Sequence, residues 1–282
     1  MPATIMYGNV LANEMRENIK EDVNVLIDSD IHPKLTVLII GENPASKTYV
    51  RMKQKACHKV GIASQVIELN ENISEDELLE QINKLNEDNT VHGILVQLPL
   101  PNHINEKRVL EYIDPVKDVD GFHPINIGRM QIGHDSLVPC TPLGIMKLLE
   151  YYQVDLSGKH AVVVGRSNIV GKPVGQLLLN QDATVTYCHS KTEQLSKITR
   201  QADLLIVATG KAATIKAQDV KEGAVVIDVG NTFLDDGRVV GDVDFEAVKD
   251  KVQKITPVPK GVGPMTITML LHNTVKVAKS FI

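Results

Sequence analysis

The chain has 282 residues, 43% of them hydrophobic, which is enough apolar material for one large core or two modest ones. Its net charge of −5 and pI near 6.0 exclude a broad basic field for nucleic acid or an anionic membrane, so any anion site has to be local. The three cysteines, Cys57, Cys140 and Cys188, form no C-x-x-C pair, which points to a reducing compartment without a disulfide framework. The opening MPATIMYGNV lacks the charged-then-apolar order of a signal peptide. No apolar run approaches the ~18–20 residues of a membrane span. A cytoplasmic protein is expected.

Val10, Leu11, Met15, Ile19, Val23 and Leu26 recur at helical spacing, predicting an amphipathic helix from Asn9 to about Asp28. A strand at Leu35–Ile40, a helix at Ala45–Val60 and a strand at Ser64–Leu69 follow. Ser74 with Glu77 three residues on reads as a capping box opening a helix to Asn86, and Val91–Leu98 is a third strand. Asp114–Pro139, broken by proline and glycine and with little periodicity, is expected to be an irregular interdomain connection. A helix at about Thr141–Tyr152 precedes strands at His160–Val164, Ala183–Cys188, Asp203–Ala208 and Ala224–Val229, with helices between the first three. A Pro/Gly-rich loop leads to a final helix at about Met265–Lys279. Apolar strands alternating with helices predict an α/β fold of two domains with parallel sheets, the second Rossmann-like, and a ligand crevice between them. The expected boundaries are 1–120 and 139–282, with the last helix a candidate to pack back on the first domain.

The strand His160–Val164 runs into GRSNIVGKPVG and then a helix, an arrangement that aims backbone N–H groups at a phosphate. Gly165, Gly171 and Gly175 are not spaced as G-x-G-x-x-G, and Lys172-Pro173 is not the Lys-Ser/Thr of a P-loop, which argues against a kinase or ATPase. Alone, the loop is equally a glycine turn needed for packing. NAD-specific sites usually carry Asp or Glu about 20 residues further on. Here His189, Ser190, Lys191 and Thr192 stand there instead, with Arg166 in the loop. A hydroxyl and two cations suit a 2′-phosphate, so NADP is expected.

Ser46, Tyr49 and Lys53 are three and four apart and share one helix face. A lysine beside a tyrosine can serve as an acid/base group, although on a helix also bearing Arg51, Lys55 and Lys59 a solvated lysine is the bland alternative. The three cysteines are read as small core residues. The nine histidines show no metal-ligand spacing, and no metal is expected.

YVRMK (Tyr49–Lys53), QLPLP (Gln97–Pro101), KDVDGF (Lys117–Phe122), PCTP (Pro139–Pro142), GRSNIVGKP and PVPKGVGPMT (Pro257–Thr266) occur in one order along nearly the whole chain. In this the sequence resembles the bifunctional methylenetetrahydrofolate dehydrogenase/methenyltetrahydrofolate cyclohydrolases. The resemblance implies that Lys53 is the catalytic lysine and that Tyr49 stacks on or bonds to folate. It also implies that Gln97 positions the lysine and that Asp120 binds the pterin ring. By the same resemblance Gly165, Arg166, Ser167 and Ser190 contact NADP, and the enzyme is a homodimer. Asn231 stands where the family usually has isoleucine after Asp-Val-Gly; it lines the nicotinamide pocket if the family contact runs through backbone. Lys260 replaces the first glycine of the family's Gly-Gly, which suggests that this position does not demand glycine geometry; a solvated loop lysine is expected, with the folate polyglutamate tail as the alternative.

The implied chemistry is oxidation of 5,10-methylenetetrahydrofolate by NADP⁺, then hydrolysis of the methenyl product to 10-formyltetrahydrofolate, within one-carbon metabolism and purine biosynthesis. A dehydrogenase lacking the hydrolytic step and a noncatalytic NADP sensor are the rival readings. The first leaves Lys53 and Gln97 without a joint role, the second the folate-side motifs without a purpose.

Overall fold

A computed structural model of the chain describes residues 3–234 and 237–281. The first stretch contains β1 (Thr4–Ile5), α1 (Gly8–Asp28), β2 (Lys34–Ile40), α2 (Pro44–Val60), β3 (Ala63–Leu69) and α3 (Glu75–Glu87). Then come β4 (Gly93–Val96), α4 (Glu106–Tyr112), α5 (Pro124–Gln131), α6 (Cys140–Tyr151), β5 (His160–Val164), α7 (Gly171–Leu179) and β6 (Thr184–Cys188). The remainder holds α8 (Leu195–Thr199), β7 (Leu204–Val207), β8 (Val225–Asp228), β9 (Thr232–Phe233), β10 (Val239–Val240), α9 (Phe245–Val248), β11 (Lys254–Ile255) and α10 (Val262–Lys279). The chain divides into two compact units, Glu14–Cys140 with Ile267–Ile282, and Met1–Asn13 with Thr141–Thr266. Each unit is therefore discontinuous in sequence.

The unit built on Glu14–Cys140 carries a parallel sheet in the order β3-β2-β4. Six of the seven residues of β2 and all four of β4 are buried, which explains their unbroken apolar runs, whereas β3 at the edge alternates. Leu78, Leu79, Ile82 and Leu85 of α3 form the main core with Leu38, Ile94 and Val96. The capping box at Ser74 and Glu77 is present. Three N-terminal donors of α2 are pre-empted: Asn43 accepts from Ala45 and Ser46, and Pro44 brings none. Gly61 ends that helix at φ 85°.

The stretch Asp114–Pro139 departs from the irregular connection expected. Ile94 N–H donates to the Lys117 carbonyl at 2.9 Å, so Lys117–Asp118 extends the sheet beside β4. Helix α5 follows, opened by Pro124 and by His123, whose ring nitrogen accepts the Ile125 N–H. Its buried face is only Asn126 and Met130, too short a pattern to stand out among the surrounding glycines and prolines. The third predicted strand is also shorter than expected, closing at Val96.

The other unit is built on a six-stranded sheet, β1-β11-β8-β7-β5-β6, with every pairing parallel. From β5 the chain passes through α7 to β6 on one side, then through α8 to β7 on the other. This reversal is the switch point of a doubly wound sheet, outside whose strand ends such folds bind ligands. Lys260 corrects an expectation: its φ is 82°, the left-handed region that glycine occupies at least cost. Its carbonyl accepts the Gly8 and Asn9 N–H groups at 2.9 and 3.2 Å, satisfying two orphan donors of α1.

Candidate active site

Tyr49 and Lys53 lie half-buried on one face of α2, with Ser46 fully buried and Val50, Cys57 and Val60 packed into the core. Gln97 follows directly on β4, at the carboxyl edge of the parallel sheet. Its amide nitrogen donates to the Leu98 carbonyl at 2.8 Å, which turns the amide oxygen toward α2. That oxygen accepts from Lys53 Nζ at 3.0 Å. Residues 44 positions apart are thus joined, and the lysine is held rather than left to solvent.

Asp120 reaches the same place along the extension of the sheet. Burial raises its carboxyl above the ordinary value, while the positive charge of Lys53 and the Cys140 thiol pull it back down. Beside it Asp118 is buried and accepts from His123 N–H at 2.8 Å and Asn126 Nδ2 at 3.0 Å. Burial, with the neighbouring Asp120 charge, pushes Asp118 up to about 7 despite those bonds. Lys117 anchors the segment: its ammonium donates to the carbonyls of Leu85, Asn86 and Asp88 at 2.8–3.0 Å, where α3 ends and cationic donors are favoured.

Cys140 and Cys57 are buried, as expected of small core residues, whereas Asn273 carried no sequence signal of its role. Cys140 donates to the Val119 carbonyl at 3.3 Å; burial and then the Asp120 charge hold its thiol well above the usual range, so it is a packed donor and not a nucleophile. Cys57 is pushed by burial up to about 12. Asn273, 1% exposed, donates to the carbonyls of Val119 at 2.9 Å and Val138 at 3.0 Å. The two stretches it ties run close together, since a Cβ on Gly121 (φ 76°) would lie 2.6 Å from Val138 C and Pro139 N. Glycine in the DGF motif is therefore a steric requirement.

In the doubly wound unit, Gly165 follows β5 with φ 135°, and a Cβ there would lie 2.2 Å from the Ala208 carbonyl oxygen. Gly171 presses on Gly165 and Gly175 on Tyr187 in the same way, at 2.3 Å each. All three glycines are thus fixed by packing, and residues 166–169 of the turn are exposed. Arg166, Ser167, Ser190 and Lys191 are exposed around it. The expected open end of α7 is partly closed by the chain itself, because Ser167 Oγ accepts from Val170 and Gly171 N–H. Asn231 is exposed just beyond β8. Among the described residues no group of three or more His, Cys, Asp or Glu could hold a metal ion, and no helix is long and apolar enough to cross a membrane.

A doubly wound dinucleotide-type sheet in a chain that also sets an amide-held lysine beside a half-buried carboxylate defines a cofactor-dependent enzyme with acid/base capacity. The chain belongs to the tetrahydrofolate dehydrogenase/cyclohydrolase family. The model of that family's catalytic domain matches residues 6–120, and that of its NAD(P)-binding domain residues 139–282. A bifunctional protein FolD of Bacillus cytotoxicus is 58% identical over 279 residues, 99% of this chain and 98% of that one. A FolD methylenetetrahydrofolate dehydrogenase/cyclohydrolase crystal structure from Campylobacter jejuni superimposes with a TM-score of 0.98 at 54% identity, covering 99% of this chain and 100% of that one. The Trypanosoma brucei FolD, solved with NADP cofactor and inhibitor, gives 0.96 at 38% identity over 100% and 99% of the two chains.

Proposed function

We propose that this chain oxidises 5,10-methylenetetrahydrofolate with NADP⁺ and hydrolyses the resulting 5,10-methenyl compound to 10-formyltetrahydrofolate. The observation that carries this reading is the Lys53–Gln97 bond beside Asp120. Asp120 offers two acceptor oxygens to the 2-amino and N3–H donors of a pterin, fixing the ring against the lysine. Tyr49, on the same helix face, completes the folate contact. Lys53 then moves the proton: it takes one from the water adding to the methenyl carbon and returns it as the ring opens. Gln97, with its own amide pinned by the Leu98 carbonyl, keeps the amine at one position and one rotamer. The hydride step asks only orientation of these residues.

The glycine turn after β5 fits a pyrophosphate, and Arg166, Ser190 and Lys191 fit a 2′-phosphate, with no carboxylate among His189, Ser190, Lys191 and Thr192 directly after β6 to favour NAD. Gly165, Arg166, Ser167, Ser190 and Asn231 would hold NADP. When bound, it supplies the hydride acceptor for the methylene carbon. We assign folate chemistry to residues 1–120 and cofactor binding to residues 139–282, with the final helix serving the folate-binding unit, and propose a cytoplasmic homodimer.

The test is to mix the purified protein with 5,10-methylenetetrahydrofolate and NADP⁺ and follow the NADPH and methenyl absorbances together. NADPH should rise while the methenyl band stays low and 10-formyltetrahydrofolate accumulates. A methenyl band that decays only at its spontaneous rate would reduce the protein to a dehydrogenase. No change in either band would leave a dinucleotide-binding protein without this activity.

A further inference from the structure

Two buried carboxylates that the reaction does not use lie at the carboxyl edge of the doubly wound sheet. Asp242 is 0% and Asp228 2% exposed. Asp242 Oδ2 accepts from Thr209 N–H at 2.6 Å, Thr209 Oγ1 at 2.9 Å and Gly210 N–H at 2.9 Å. Thr209 and Gly210 form the turn after β7, and β7 is the strand beside β5 across the switch point. The turn abuts the glycine loop, since Ala208 O is the atom that a Cβ on Gly165 would strike.

Asp242 is itself held. Asp228, ending β8, accepts from Asp242 N–H and Val243 N–H at 2.9 Å each, and from Gly230 N–H at 2.8 Å. Two glycines are shaped around the pair. A Cβ on Gly241 would sit 1.9 Å from Asp228 Oδ2, and one on Gly230 would sit 2.4 Å from Asp242 Oδ1. That oxygen has no hydrogen-bond partner among the described residues. The arrangement forgoes the bonds of one carboxylate oxygen in order to direct three donors of one turn onto the other. Burying a carboxylate is costly unless it is hydrogen-bonded.

We propose that Asp242 is a positioning residue of the dinucleotide site: anchored by Asp228, its carboxylate fixes the Thr209–Gly210 turn against which the pyridine dinucleotide is received. Gly210 is exposed at φ 66°, and no protein atom lies within 4 Å of where a Cβ would be, so the outer side of the turn faces solvent. The inference rests on the NADP reading above and says where in the sheet the cofactor's fit is set.

The test compares Asp242→Asn, which keeps size while removing charge, with Gly210→Ala, which leaves the carboxylates alone, adds a methyl to the open side of the turn and strains its backbone at φ 66°. NADPH affinity is measured by fluorescence titration, and both activities are assayed. The hydrolytic step is assayed from the methenyl compound without dinucleotide. Charge-assisted bonds are roughly twice as strong as neutral ones, so Asp242→Asn should raise the NADP⁺ KM and the NADPH Kd by about tenfold. Hydrolysis should continue at its normal rate, and Gly210→Ala should shift the same two constants in the same direction. A merely structural carboxylate would lower both activities in parallel, and that result overturns the proposal. Unchanged NADPH affinity in both variants overturns it too. Failure of the unaltered protein to bind NADPH would instead strike the parent reading, and the inference with it.

Discussion

Replacing Asn273 by leucine removes a staple that the structure places behind Asp120. Both side chains have four heavy atoms branched at Cγ, so the site remains filled, with leucine the bulkier occupant. The loss is of two hydrogen bonds, a buried one to the Val119 carbonyl and a part-buried one to the Val138 carbonyl. The Val119 carbonyl keeps the Cys140 thiol as a donor. Each lost bond costs about 1 kcal/mol, and the Val138 carbonyl left without its donor adds roughly 1–3 kcal/mol, giving about 3–5 kcal/mol in all. In a chain of this size that lowers Tm by about 5–10 °C. The functional consequence follows from adjacency, because Asp120 is bonded covalently to Val119 and its turn is packed on Val138–Pro139 through Gly121. Displacement of the order of 1 Å can cost up to about a hundredfold in rate. Urea denaturation gives the stability, and steady-state kinetics with both folate substrates give the KM values. The folate KM should rise in both reactions while the NADP⁺ KM is kept. Unaltered folate KM values in a variant destabilised as expected would refute the link between Asn273 and Asp120.

Lys260→Gly should stabilise the protein. Relief of a left-handed residue is worth about 1–2 kcal/mol, offset by roughly 0.4–1 kcal/mol of extra chain entropy in the unfolded state, and a Tm below that of the parent would contradict it. Asp118, raised to about 7 by burial, favours the folded state only when protonated, so its contribution is lost as pH rises from about 4 through 7. The Tm of the parent relative to Asp118→Asn should therefore climb as pH falls from 8 to 5, with a full effect of roughly 4 kcal/mol; a constant difference would refute the assignment. Arg166→Ala should weaken NADP⁺ more than NAD⁺, reducing the discrimination by about tenfold or more in kcat/KM, and equal losses for both cofactors would remove Arg166 from the 2′-phosphate.

Much of this was legible from residues whose local physics is strong. Strands β2, β4, β5, β7 and β8 announce themselves because burial on both faces demands unbroken apolar runs. The Ser74–Glu77 box marks its helix, and the glycine turn after β5 its ligand edge. What escaped depends on contacts distant in sequence. Strands β1 and β11 are two residues each and exist only by pairing with each other and with β8. Asn273 looks like any polar residue in an apolar helix until Val119 and Val138 are brought to it. Asp228 falls within the predicted strand Ala224–Val229 and Asp242 in a stretch given no element, and nothing local says that two carboxylates are buried there together. Lys260 shows the opposite failure: its side chain suggested freedom where the backbone is confined. The glycines at 165, 171 and 175 failed the spacing of a known fingerprint, yet each proves to be sterically required.

The division of labour at Lys53 is tested most directly by Lys53→Met, assayed for both activities in one cuvette. Methionine is close in length and apolar, so the helix face stays covered, while the proton carrier and the Gln97 bond are removed together. Hydride transfer needs no proton from this residue. Hydration of the methenyl carbon does, and loss of such a group costs about 10²–10⁴-fold. NADPH should still form, at a rate reduced by poorer folate placement, while the methenyl absorbance accumulates and decays only as fast as it does in buffer alone. If ring opening by the variant instead continued at nearly the parental rate, Lys53 would only position folate, and the proton would have to move through another group.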